Sequence, residues 1–180
     1  SDNGYSKSGY IVKVTTDDGY RYGYISSDWK NVLDTEYTSI SRILDIDSND
    51  IYLIVSRNGQ YGVVKNKNVE IDFAYQSIVY NKDTNLFRVE RSGQYRVVNI
   101  DGETILDVTY KAINFNGEYI LAQSYTEDIY FNQEGERIEN TYTAMIEVPN
   151  IEYCITVDAN NLYGILNENG EEVVKNEYLY

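Results

Sequence analysis

Between Phe87 and Ile105, apolar and polar positions alternate in three short runs, separated by Ser92-Gly93 and Asp101-Gly102. Alternation with a period of two marks a strand with one buried face, and glycine-containing dipeptides between such runs mark tight turns. The segment predicts two hairpins joined into a three-stranded meander. The same frame recurs along the chain. First-strand apolar pairs fall at Val12/Val14, Leu53/Val55, Phe87/Val89, Ile120/Ala122 and Ile155/Val157. Second strands open at Tyr22-Gly23, Tyr61-Gly62, Tyr95-Arg96, Asp128-Ile129 and Tyr163-Gly164, each followed by two apolar residues. Seven positions after each opening lies a turn slot, occupied by Trp29, Asn68, Gly102, Gly135 and Gly170. Three glycines and an asparagine suit a backbone with positive φ, which makes Trp29 the anomaly.

An apolar residue follows each slot, at Val32, Ile71, Ile105, Ile138 and Val173, and then a tyrosine, at Tyr37, Tyr75, Tyr110, Tyr142 and Tyr178. The tyrosines set a period of roughly 35 residues, and units of that size cannot bury an apolar face alone. The chain is therefore expected to be all-β, with five tandem repeats, each a three- to four-stranded antiparallel meander. The fourth strand would lie around Tyr-x-x-Ile, as in Tyr110 to Phe115. The repeats would stack as an open curved array or close as a small propeller-like ring. A flexible lead spans 1–9, and one repeat domain spans 10–180, with units near 10–50, 51–84, 85–118, 119–152 and 153–180. No stretch combines helical periodicity with caps.

These residues resemble the WG repeats of bacterial proteins. That unit has an aromatic-Gly pair, a short apolar run, a polar-Gly turn, an apolar strand and then Tyr-x-x-Ile. It is matched by Tyr61-Gly62-Val63-Val64 through Tyr75-Gln76-Ser77-Ile78, and by Tyr163-Gly164-Ile165-Leu166 through Tyr178. Tyrosine replaces the naming tryptophan throughout, and Arg96 and Ile129 replace its glycine. The resemblance covers about residues 10–180 and implies an all-β repeat architecture. Tyr130-Phe131-Asn132-Gln133-Glu134-Gly135 resembles the aromatic-turn element of choline- and glucan-binding repeats. Those repeats are shorter, however, and the element occurs once.

Composition narrows the chemistry. The chain of 180 residues carries a formal net charge of −14, with 15 Lys+Arg against 29 Asp+Glu. Such a field repels phosphate backbones and anionic lipid heads, so neither nucleic acid nor membrane insertion is expected. There is no His, which removes His-based nucleophile pairs, acid/base catalysis and zinc ligation. The one cysteine, Cys154, lies in an apolar strand-like run and reads as a packed thiol. Paired carboxylates such as Asp17-Asp18 and Glu171-Glu172 are what an acidic composition produces. No catalytic role and no cofactor are expected.

Two features stand out as sites. Asp45, Asp47 and Asn49 match the first ligand positions of a calcium loop, in the longest inter-repeat spacing. The match then breaks, with Asp50 where the loop's Gly belongs and Ser56 where its Glu belongs, so a solvated acidic turn is the competing reading. Trp29 would either pack on a neighbour or the N-terminal segment, or stand exposed as a platform for a sugar or a protein hot spot. Tyr20 and Tyr125, in first-hairpin turns, are similar candidates. The recurring tyrosines read as packing between units. The function expected is a non-catalytic binding module of a bacterial surface or secreted protein, engaging a protein or a glycan. The alternative is a structural spacer with no ligand of its own.

Overall fold

The computed structural model describes residues 8–44, 46, 49–107, 110–125, 127–138, 142–148 and 151–180. Among them the fold is all-β, with no helix and 18 strands in five small antiparallel sheets. The first sheet runs β1 (Gly9–Thr16), β2 (Gly19–Ser26), β3 (Asn31–Tyr37). The second runs β4 (Ser39–Ile43), β5 (Tyr52–Arg57), β6 (Gln60–Lys65), β7 (Asn68–Tyr75). The third runs β8 (Ser77–Asn81), β9 (Leu86–Arg91), β10 (Gln94–Val98), β11 (Thr104–Asp107). The fourth has β12 (Ala112–Asn116), β13 (Tyr119–Gln123) and β14 (Asp128–Phe131). The last has β15 (Ala144–Glu147), β16 (Tyr153–Val157), β17 (Tyr163–Asn167) and β18 (Glu172–Tyr178). The chain divides into two compact units, one reaching Gly93 and including Val97–Thr104, the other formed by Gln94–Arg96 and Ile105–Tyr180.

The Tyr-x-x-Ile segments do form strands, and each pairs forward. β4 lies antiparallel to β5, with Ile40 opposite Val55, and β15 to β16, with Met145 opposite Thr156. A four-stranded sheet thus takes its first strand from residues just after the preceding period tyrosine.

Register explains the aromatic-Gly pair. Tyr61 lies opposite Tyr75, Val63 opposite Ile71 and Val64 opposite Val69, with a bulge in between. The first and last sheets repeat this, with Tyr22 opposite Tyr37 and Tyr163 opposite Tyr178. The bulge drives a carbonyl of the sheet's last strand over the glycine. A Cβ on Gly62 would stand 2.7 Å from the Ile71 oxygen, and one on Gly23 2.6 Å from that of Leu33. Where Arg96 and Ile129 replace the glycine, the last strand shrinks among the described residues. β11 has four residues, with Arg96 paired to Asp107 at 2.9 Å. After β14 the described residues show an isolated bridge, Phe131 to Arg137.

The register also corrects two expectations. The equivalents of Leu53 and Val55, opposite Val64 and Gly62, are Tyr10 and Val12 in the first sheet and Cys154 and Thr156 in the last. The pair Val12/Val14 is thus two residues out of frame, and Ile155/Val157 one residue. Cys154 and Thr156 are less apolar than their neighbours, and a one-residue slip exchanges the two faces. Asn68 does not hold the positive-φ slot either. The second sheet turns more tightly, Lys65 pairing with Asn68, and Asn66 takes φ 56°.

Burial follows from stacking sheet on sheet. Tyr24, Leu33 and Tyr37 of the first sheet pack on Leu53, Val55 and Val64 of the second. Val63 and Ile71 of the second meet Phe87, Val89 and Val98 of the third. Tyr130 and Tyr142 meet Met145, Cys154 and Leu166 in the other unit. Of the period tyrosines, Tyr37 and Tyr142 are buried at these junctions and Tyr75 packs against one, whereas Tyr178 is exposed. The hydroxyl of buried Tyr24 meets no hydrogen-bond partner among the described residues.

Two substitutions test this account. Gly62→Ala should destabilise by about 1–3 kcal/mol in urea unfolding, because the bulge must move to admit a methyl; unchanged stability would remove the carbonyl as the reason for the glycine. Tyr24→Phe should be neutral or stabilise by about 1 kcal/mol, since it deletes a buried unpaired hydroxyl. A clear loss would mean the hydroxyl is satisfied after all.

Candidate binding surfaces

Four of the five sheets close their second hairpin with one turn. Gly102 N donates to the Asn99 carbonyl (3.1 Å) and Asn99 N to that of Glu103 (2.9 Å). The Asn99 side chain accepts from Glu103 N (2.8 Å) and donates to the Glu103 carboxylate (2.9 Å). Asn132 with Glu136, and Asn167 with Glu171, repeat these bonds. The signal, Asn-x-x-Gly-Glu three times over, is plain in the sequence once the turn is known. In the first sheet the turn reads Ser26-Ser27-Asp28-Trp29-Lys30 and keeps the backbone bonds, Trp29 N to Ser26 O at 2.9 Å and Ser26 N to Lys30 O at 3.0 Å. Asp28 accepts from the Ser26 hydroxyl and pairs with Lys30 at 2.9 Å.

Trp29 sits at φ 63°, where Gly102, Gly135 and Gly170 have 78–79°. A bulky side chain in that region is strained. The indole is 79% exposed and stacks on Tyr10, with centroids 6.0 Å apart and planes at 24°. Trp29 thus packs on the N-terminal strand and remains largely in solvent. Tyr10 is 58% exposed, although its register equivalents Leu53, Ile120 and Cys154 are sealed.

The glycine slot is also a point of close approach. A Cβ on Gly102 would lie 2.7 Å from the Glu70 carbonyl oxygen, on β7, the last strand of the sheet before it. A Cβ on Gly135 would collide with the Ile105 carbonyl, and one on Gly170 would touch Ile138 at 3.4 Å.

The last sheet carries an apolar groove of about 290 Å³, lined by Ile155, Tyr163, Ile165, Val174, Tyr178 and Tyr180. By register, Ile165 and Val174 correspond to Val63 and Ile71, which the third sheet covers. Tyr163 and Tyr180 meet at 5.8 Å across the groove. Sequence reading missed this surface because Ile155, Ile165 and Val174 look like ordinary core.

Tyr20 is 53% exposed beneath the Lys13 ammonium, 3.3 Å from its ring centroid. It lies at the opposite end of β2 from the strand position facing Tyr10, roughly 17 Å away. Tyr125 is exposed, with Lys111 5.5 Å from its ring. Asp45 and Asp47 lie outside the described residues, and Asn49 is exposed. The neighbouring Asp50 carboxylate is engaged by Asn66 (2.8 Å) and Lys65 (3.3 Å). Among the described residues no three metal-ligating side chains gather. Cys154 is buried, and desolvation pushes its thiol up to about 11. The hollow beside it, rimmed by Glu118, Glu147, Glu152 and Glu168, holds only about 10 Å³.

Fold and surfaces together define a tandem β-repeat protein built of small antiparallel sheets. No family model matches the sequence, and no curated protein does. Solved structures match over most of the chain at low identity. Hsv2 of Kluyveromyces lactis gives a TM-score of 0.40 at 10% identity, over 94% of this chain and 61% of the other. This chain thus spans about three-fifths of the length of Hsv2. BBS1N, solved in complex with ARL6DN, gives 0.31 at 13% identity in a lead-soaked crystal and 0.32 at 15% in a mercury-soaked one. Both cover 93% of this chain and 67% of the other.

The Trp29 turn has a pH signature. The Ser26 hydroxyl, and then Lys30, hold the Asp28 carboxyl down from 3.8 to about 2. A depressed carboxylate pKa contributes stability that is present above the unfolded value and is lost as pH falls through the folded one. Trp29 is the sole tryptophan, so its emission reports this turn. The emission should shift with a midpoint near pH 2 in acid titration, and Asp28→Asn should abolish that step. A midpoint near 4 would show that Asp28 is not held.

Proposed function

We propose that this chain is a non-catalytic recognition module that takes a protein partner on the open apolar face of its last sheet. One observation carries the reading: a face whose equivalent is sealed by a neighbouring sheet elsewhere in the chain stands open here as a groove of about 290 Å³. Apolar floors rimmed by tyrosine suit protein hot spots, because an anchor side chain gains burial while the hydroxyls keep hydrogen-bond options. The chain is also read as a divergent WG-type repeat. The bulged carbonyl over Gly23, Gly62 and Gly164 supplies a steric reason for the glycine of the aromatic-Gly pair. Display on a bacterial surface or by secretion belongs to the same proposal. A second reading, a glycan ligand, is favoured by the Tyr10–Trp29 stack, which offers an exposed aromatic plane.

The experiment is capture by the immobilised chain from envelope material split into protein and polysaccharide fractions. Wild type is compared with Tyr178→Glu/Leu179→Glu and with Trp29→Ala, and any captured species is then titrated by calorimetry. One protein species is expected, with affinity weakened about tenfold or more by the last-sheet variant. Polysaccharide retention lost with Trp29→Ala would replace the protein by a glycan. Capture indifferent to both variants would sink both readings.

A further inference from the structure

The junctions within each compact unit obey one rule. The face carrying Val63 and Ile71, or Tyr130 and Tyr142, packs on a pair from the next sheet's second strand and a residue of its third, such as Phe87, Val89 and Val98. Among the described residues both halves of that rule are left unfilled. The last sheet presents Ile165, Val174 and Tyr178, the register equivalents of Val63, Ile71 and Tyr75. The first sheet presents Tyr10, Val12 and Ile25, the equivalents of Leu53, Val55 and Val64. These surfaces are complementary by construction, so the last sheet of one copy could stack on the first sheet of another. Such a contact is heterologous, the geometry from which rings or filaments grow.

The junction geometry adds a condition. In the third and fourth sheets the turn slot presses directly on a backbone carbonyl of the preceding sheet, that of Glu70 or Ile105, and in the last sheet it touches the Ile138 side chain. Only glycine fits under the two carbonyls. The first sheet carries Trp29 in that slot, and stacking on Tyr10 holds the indole beside the face that a last sheet would cover. The equivalent of Glu70 in an incoming last sheet is Val173, next to groove-lining Val174. The indole would stand where that strand's backbone must come.

We infer that Trp29 is a specificity residue that bars the first sheet from receiving the last sheet of a second copy. The groove of the last sheet is thereby kept free for a different partner. The inference rests on reading the last-sheet face as a docking surface, and its test can fail independently of that reading. The barrier is steric, and charge supplements it weakly. Residues 144–178 carry seven carboxylates and one lysine, so added salt should favour any association that the barrier permits.

The test is sedimentation velocity of the whole chain over a concentration series, with circular dichroism confirming that each variant is folded. Wild type should be monomeric. Trp29→Gly should associate head to tail, more strongly in high salt. Trp29→Ala should stay monomeric, because a Cβ alone already meets the carbonyl. Adding Tyr178→Glu and Leu179→Glu to Trp29→Gly should restore the monomer. Mixing that triple variant with wild type should give a 1:1 dimer and nothing longer, since only one competent pair of faces remains. The inference is overturned if Trp29→Gly stays monomeric, if Trp29→Ala associates equally, or if wild type already associates through these faces. Capture of a foreign protein that is lost with the last-sheet variant would preserve the docking surface in each of those cases. Association of Trp29→Gly without any such capture would keep the barrier and remove the foreign partner.

Discussion

A sheet of three or four short strands has two apolar faces and no means of covering either. Everything else in this chain follows from the way each sheet borrows burial from the next. Leu53 and Val55 are sealed by Tyr24 and Tyr37, and Cys154 and Leu166 by Tyr130 and Tyr142. The hydrophobic gain therefore resides in the junctions rather than in the units, as in other quasi-one-dimensional repeats. Backbone approaching backbone at such a junction leaves no volume for side chains at the points of closest contact. Glycine at Gly102 and Gly135 answers a packing demand as much as a dihedral one.

The same reasoning applies inside each sheet. The bulge opposite Gly62 turns a ladder position into a carbonyl lid, and the aromatic neighbour Tyr61 pairs with the period tyrosine Tyr75 across it. Where Arg96 and Ile129 take the place of the glycine, the described residues on that side form the four-residue β11 and, in the fourth sheet, the bridge between Phe131 and Arg137.

For function, the informative positions are those where the repeat rule goes unanswered. Interior versions of the Tyr10 and Tyr178 positions are buried or packed against a neighbouring sheet, whereas these two stand in solvent. The apolar groove beside Tyr178 and the indole beside Tyr10 are consequences of equivalent residues meeting unequal surroundings. An acidic chain keeps such surfaces from associating at random, since net charge opposes nonspecific approach while a fitted apolar contact can still overcome it.

The sequence by itself determined the five-fold period, most strand and turn positions, the all-β class of the described residues, and the oddity of Trp29. Period-two alternation, glycine turns and recurring tyrosines are properties of the chain alone. It also held the Asn-x-x-Gly-Glu turn of Asn99, Asn132 and Asn167, legible once its hydrogen bonds are seen. Only the tertiary structure decided that Cys154 and Thr156, rather than Ile155 and Val157, face the preceding sheet. It alone decided that Ser39–Ile43 pairs forward, and that Trp29 and the Ile165 face remain open. The reason is physical. Alternation says that a strand has two faces, but which face is covered depends on residues some thirty positions away.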